Sequence, residues 1–133
     1  MIKIELPFAT PFMAPQKKGK CFFNPRSQEK QNAQILVRSQ YQDAPKTRGI
    51  GLKIVFEVQA PISTSKKKIR AILGLKNNEH TKRPDLDNLL KFLLDVLKGI
   101  VFVDDSQVHL IEAKKIWSYR DYTTVELWEK KND

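Results

Sequence analysis

The chain has 133 residues, 41% of them hydrophobic, which suits one core and leaves little room for a second domain. Its 24 Lys and Arg against 15 Asp and Glu give a formal charge of +9. That excess attracts polyanions, nucleic acid foremost, although anionic membranes and acidic proteins have the same sign. Cys21 is the only cysteine, which excludes an intrachain disulfide and fits a reducing, cytoplasmic setting. The opening MIKIELPFAT lacks a cleavable apolar core, and no stretch approaches the ~20 apolar residues of a membrane span.

Ile2, Ile4, Leu6 and Phe8 alternate with Lys3 and Glu5, the period of a strand with one buried face, and Pro7 and Pro11 keep it short. Residues 15–20 read as a basic loop. Asn24-Pro25 can open a helix with Pro at its first position. The helix is expected to reach about Tyr41 and to bury Ala33, Leu36 and Val37. Leu52, Ile54, Phe56 and Val58 alternate with Lys53, Glu57 and Gln59, a second strand ended by Pro61. Residues 65–83 then carry seven Lys or Arg and one Glu. Ile69, Ile72 and Leu73 could line a short helix there, but Gly74 and an Asn pair interrupt it.

The clearest helix follows Pro84. Leu86, Leu89, Leu90, Leu93, Leu94 and Leu97 recur at three- and four-residue spacing, and Gly99 supplies a stop. Val101-Phe-Val103 reads as a short buried run entering Asp104-Asp105. Two strand-like stretches, 108–117 and 122–128, read as a hairpin turned at 118–121. The tail from Lys130 is expected to fray. The order β-α-β-(basic connector)-α-β-β predicts an α+β fold over residues 1–133, with a small mixed sheet and two main helices.

The chemistry concentrates at Arg83-Pro-Asp-Leu-Asp-Asn-Leu-Leu-Lys91. Two residues apart in mid-helix point about 200° apart. At a helix mouth, with Arg83 held extended before Pro84, Asp85 at the cap and Asp87 in the first turn could converge. Lys91 lies one turn further along the face of Asp87. Helix-dipole complementarity and an ordinary Asp-to-Lys pair explain the same residues without chemistry.

Asp104 and Asp105 tilt that balance, because the crossover after the helix could deliver a third carboxylate. Clustered carboxylates repel unless a cation joins them. Asp105 is the expected inward ligand and Asp104 its support, against the alternative that both sit in a solvated turn. With Cys21, His80 and His109 unable to complete a zinc site, the donors favour Mg²⁺, or Mn²⁺. His80 is expected in a solvated loop and His109 in a strand. Lys66, Lys67, Lys68, Arg70, Lys76, Lys82 and Arg83 are candidate phosphate contacts. Trp117, Tyr119 and Trp128 could stack on bases, or serve as core or dimer contacts.

The segment RPDLDNLLKFLLDVLKGIVFVDDSQVHLIEAKK resembles the signature region of the RusA family of Holliday junction resolvases of bacteria and their phages, most strongly over residues 83–115. The resemblance implies a Mg²⁺-dependent centre built from Asp85, Asp87 and Asp105 with an essential Lys91. It also implies a homodimer of mixed α/β fold that makes paired cuts in four-way DNA junctions. Two other readings use the same residues: a junction or single-strand DNA-binding protein that does not cut, and a less selective metal-dependent flap or RNA nuclease.

Overall fold

The computed structural model describes residues 1–60 and 78–130. Chain order gives β1 (Ile2–Leu6), β2 (Gln16–Lys18), β3 (Cys21–Phe23), α1 (Ser27–Gln40), β4 (Ile50–Gln59), α2 (Leu86–Leu97), a 3-10 turn (Asp105–Gln107), β5 (Val108–Ser118) and β6 (Tyr122–Glu129). The α+β class, the mixed sheet and the two helices are those predicted.

The main sheet has the order β1-β6-β4-β5. β6 runs antiparallel to both β1 and β4, whereas β4 and β5 are parallel. Alternation puts Ile4 and Leu6, then Leu52, Ile54 and Phe56, then Val125 and Leu127, on one face, where all are buried. The register aligns them: Leu52 lies opposite Leu127 and Ile54 opposite Val125, itself opposite Ile4. Ala33 and Val37 of α1, with Leu89, Phe92, Leu93, Val96 and Leu97 of α2, complete that core. Burying each large apolar side chain contributes about 1.5–3 kcal/mol before entropy is counted. The register places Lys3, Lys53 and Glu126 together on the opposite face. No helix among the described residues is long and apolar enough to cross a membrane.

Four local expectations change. The basic loop contains a small hairpin, β2 with β3, in which Lys18 faces Cys21 across Gly19 at φ +65°. Asn24 does not cap a helix starting at Pro25: its side chain accepts from the Arg26 N–H at 3.0 Å, an Asx turn that delays α1 to Ser27. Val103 leaves the buried run and is 54% exposed, while Val101 and Phe102 stay inside. The fourth change is topological.

β5 and β6 are not hydrogen-bonded neighbours, because β4 lies between them. The connection crosses the end of β4, where the Gln59 N–H donates to Asp121 Oδ1 at 2.7 Å and the Ala60 N–H to the Ser118 carbonyl at 3.0 Å. Two strand spacings amount to roughly 10 Å, and three residues can span that distance. The short loop that suggested a hairpin therefore fits a hairpin opened around a third strand equally well.

Candidate active site

β5 positions the mouth of α2. The register sets Lys115 opposite Phe56, on the inward side of the alternation. Its ammonium donates to the carbonyls of Lys82 and Pro84, both at 2.8 Å. Above it, the His80 N–H donates to the Lys115 carbonyl at 3.2 Å and the Trp117 N–H to the Asn78 carbonyl at 2.8 Å. Residues 78–84 thus run along the outer edge of β5, and the chain enters α2 from a fixed point. The Arg83–Pro84 peptide is cis.

Asp85 is the N-cap of α2, with extended backbone (φ −72°, ψ 145°) and no hydrogen bond from its side chain to the helix. Asp87 follows in the first turn, and both residues are exposed. A carboxylate at an N-cap that leaves the backbone amides alone keeps its oxygens available. The segment before β2 packs across this mouth, with the Phe12 N–H donating to the Asn88 carbonyl at 2.8 Å. Between them lies an open groove of about 570 Å³, walled by Pro11, Phe12 and Met13 on one side and by Arg83, Asp85 and Asn88 on the other. Lys91 stands one turn along α2, its Nζ 4.0 Å from the centre of the Phe12 ring.

The later acidic pair divides its duties. Asp104 caps the 3-10 turn: its carboxylate accepts from the Ser106 N–H at 3.1 Å and from the Lys98 ammonium at 3.0 Å. The Gln107 side chain accepts in return from the Asp104 N–H at 2.7 Å, closing a capping box. Bonding to Ser106 first, and to Lys98 second, holds the Asp104 carboxyl at a pKa of about 2. Gln107 also donates to the carbonyls of Lys46 and Arg48, both at 2.9 Å, so the turn is pinned to the chain entering β4. Asp105 is exposed, and among the described residues its carboxylate has no ion-pair partner. Of the pair, Asp105 is the one with free oxygens.

Three uncommitted carboxylates, Asp85, Asp87 and Asp105, are hard oxygen donors, and their chemistry fits Mg²⁺. Their expected convergence is not found: among the described residues, no group of three His, Cys, Asp or Glu lies close enough to hold an ion. Asp105 rides on a turn anchored to residues 46–48, whereas Asp85 and Asp87 belong to α2.

Of the candidate phosphate contacts, Lys82 and Arg83 are exposed beside the groove. Lys66, Lys67, Lys68, Arg70 and Lys76 lie outside the described residues, as do Ile69, Ile72 and Leu73 of the suggested short helix. Tyr119 is exposed at the crossing loop with the Arg120 guanidinium 5.6 Å from its ring centre, while the Trp128 indole fills the space beside Gly51. His109 is an exposed β5 residue, as expected.

His80 corrects its expectation. Instead of occupying a solvated loop, it is 96% buried against the Trp117 ring, 4.3 Å between centroids. Its Nδ1 has no partner among the described residues. Burial, and secondarily the Lys115 charge, push its pKa below the usual histidine value of 6.5. The folded protein therefore resists protonation that the unfolded chain accepts. The stability this supplies is present above about pH 6.5 and is lost as pH falls through the depressed folded value. Replacing His80 with Phe should flatten the Tm profile between about pH 7 and pH 5. A parallel acid-side slope in the two proteins would show that His80 is not its source.

Lys115 and Phe12 escaped the sequence reading. A lysine at an inward strand position was a legible sign for the first; nothing in the local sequence marks the second.

The fold and this acid-lysine helix mouth can be set beside known proteins. A family model described as "Endodeoxyribonuclease RusA" matches residues 9–127. The chain belongs to the RusA family. It is similar to the "Crossover junction endodeoxyribonuclease rusA" of Lactococcus phage r1t, at 36% identity over 80 residues, 58% of this chain and 61% of that relative.

Proposed function

We propose that this chain is a Mg²⁺-dependent endodeoxyribonuclease that resolves four-way DNA junctions by paired phosphodiester hydrolysis, acting as a homodimer. The observation that carries this reading is the open mouth of α2, where Asp85 and Asp87 leave their carboxylates uncommitted one turn from Lys91. The family membership and the phage relative named for junction cutting support the substrate. In this reading Asp85, Asp87 and Asp105 hold the metal, which when bound supplies Lewis-acid activation of phosphate and water. Lys91 offsets charge developing on the phosphoryl oxygens. Lys82 and Arg83, with Lys66, Lys67, Lys68, Arg70 and Lys76, neutralise flanking backbone phosphates. A two-fold dimer gives two centres to a nearly two-fold junction, one for each cut. The exposed, free Cys21 suits a reducing cytoplasm.

The absence of a gathered three-acid cluster among the described residues favours one second reading, a junction-binding protein that does not cut. A titration of Mg²⁺, and separately Mn²⁺, on one labelled four-way junction separates the two. Symmetric nicks with 5′-phosphate and 3′-hydroxyl ends are expected, with duplex, flap and RNA substrates cut much more slowly. Tight binding without nicking at any metal concentration would leave only the binding protein standing.

A further inference from the structure

Lys91 sits four residues after Asp87, the spacing at which a helix pairs an acid with a base. Among the described residues no such ion pair forms. The ammonium instead lies over the face of Phe12, 4.0 Å from the ring centre. An aromatic face presents the negative part of its quadrupole to a cation, and it does so without occupying the donors as a carboxylate would.

The ring is held from two sides. The Phe12 N–H is bonded to the Asn88 carbonyl on α2, and the segment leading to it is bonded to β6, where Thr123 Oγ1 donates to the Phe8 carbonyl at 2.6 Å. Phe12 also packs against the hydrophobic core. Its orientation is thus set by the frame of the fold, whereas the exposed Lys91 stem has four rotatable bonds and many alternatives.

We infer that Phe12 is a positioning residue for Lys91: its ring draws the ammonium away from Asp87, leaving the Asp87 oxygens free for a cation and the ammonium free to meet a phosphoryl oxygen. The inference rests on the proposed role of Lys91, and its test separates the two.

The experiment replaces Phe12 with mono-, di- and trifluorophenylalanine, which keep the ring shape while draining its face of negative charge. Two quantities are read: the proton shifts of the Lys91 ε-methylene in the protein alone, and the single-turnover cutting rate on saturating four-way junction. In the unmodified protein the ε-methylene resonances are expected upfield, as over a ring face, and Phe12→Leu should return them to ordinary values. Cutting should slow stepwise with each fluorine, by roughly two- to fivefold over the series, with junction affinity unchanged. Phe12→Trp should retain the rate.

In a Lys91→Ala background the fluorine series should be flat. A slope that persists there, or a flat series with Lys91 present, overturns the inference. Ordinary ε-methylene shifts in the unmodified protein overturn it too, whether or not the chain cuts DNA. An upfield shift lost in Phe12→Leu, in a protein that nicks no junction at any metal concentration, would uphold the contact and remove the proposed activity instead.

Discussion

Asp87→Asn is expected to abolish junction cutting while the protein still folds and binds junctions as tightly as before, or more tightly. The substitution keeps the size of the side chain and removes one negative charge from an exposed position in the first turn of α2. It also removes the charge that makes the group a good ligand for a hard cation. Losing a partner outside a metal's direct ligands typically costs ten- to a hundredfold, so loss of a direct ligand should exceed about a hundredfold. Affinity should hold or rise because one charge that repels phosphate has gone.

Asp85→Asn should behave alike, since Asn is as good a helix cap as Asp and the present side chain accepts no hydrogen bond from the helix. Asp105→Asn completes the set. Asp104→Asn is the contrast: an amide oxygen can still accept from the Ser106 N–H, but the Lys98 pair is lost. That change should leave most of the cutting intact. Cleavage gels with Mg²⁺, beside mobility shifts without it, measure both quantities. Wild-type cutting by Asp87→Asn, or joint collapse of folding and binding, would remove it from the centre.

The second large effect is on stability. A Cβ added at Gly51 would lie 2.2 Å from Cε2 and 2.4 Å from Cζ2 of Trp128, far inside contact distance. Gly51 and Trp128 face each other across β4 and β6, and the β4–β5 register shifts at Ile50/Gly51. With glycine, the indole lies directly on the strand backbone. Gly51→Ala forces the ring off that seat, an overpacking strain of about 1–3 kcal/mol. For a domain of this size the Tm should fall on the order of 5–10 °C. Adding Trp128→Leu should recover part of that loss, since the two changes share one contact. Thermal melts of the two single variants and the double variant measure the coupling. An unchanged Tm in Gly51→Ala would show that the indole has another place to go at no cost.

The position of Gly51 beneath Trp128 follows from which strands are neighbours, and that was the least legible feature of the chain. The inner-face alternations of β1 and β4, the leucine stripe of α2 and the stop at Gly99 were all readable, because each depends on residues close in sequence meeting one common surface. The helix start at Asp85 and the placing of Asp87 and Lys91 along it were readable for the same reason, but the seat of the Lys91 ammonium over Phe12 was not. The hairpin reading of β5 and β6 failed because a strand edge offers the same amides and carbonyls to any partner. Choosing β4 for both edges was a matter of the whole core.

His80 was misplaced in the same way. A polar residue between Asn-rich and Lys-rich flanks looks solvated until residues 78–80 are laid along the end of β5 and the ring is pressed on Trp117. The acidic pair shows the boundary most finely. Sequence determined that two carboxylates would follow the buried Val101-Phe102 run. Local capping by Ser106 and Gln107, joined by Lys98, binds up Asp104 in the turn, whereas the tertiary bonds of Gln107 to the Lys46 and Arg48 carbonyls decide where that turn, and the free Asp105 on it, is held. Periodicity and local spacing act within about one helical turn or along one strand. Partner choice and burial depend on groups tens of residues away, which no local pattern encodes.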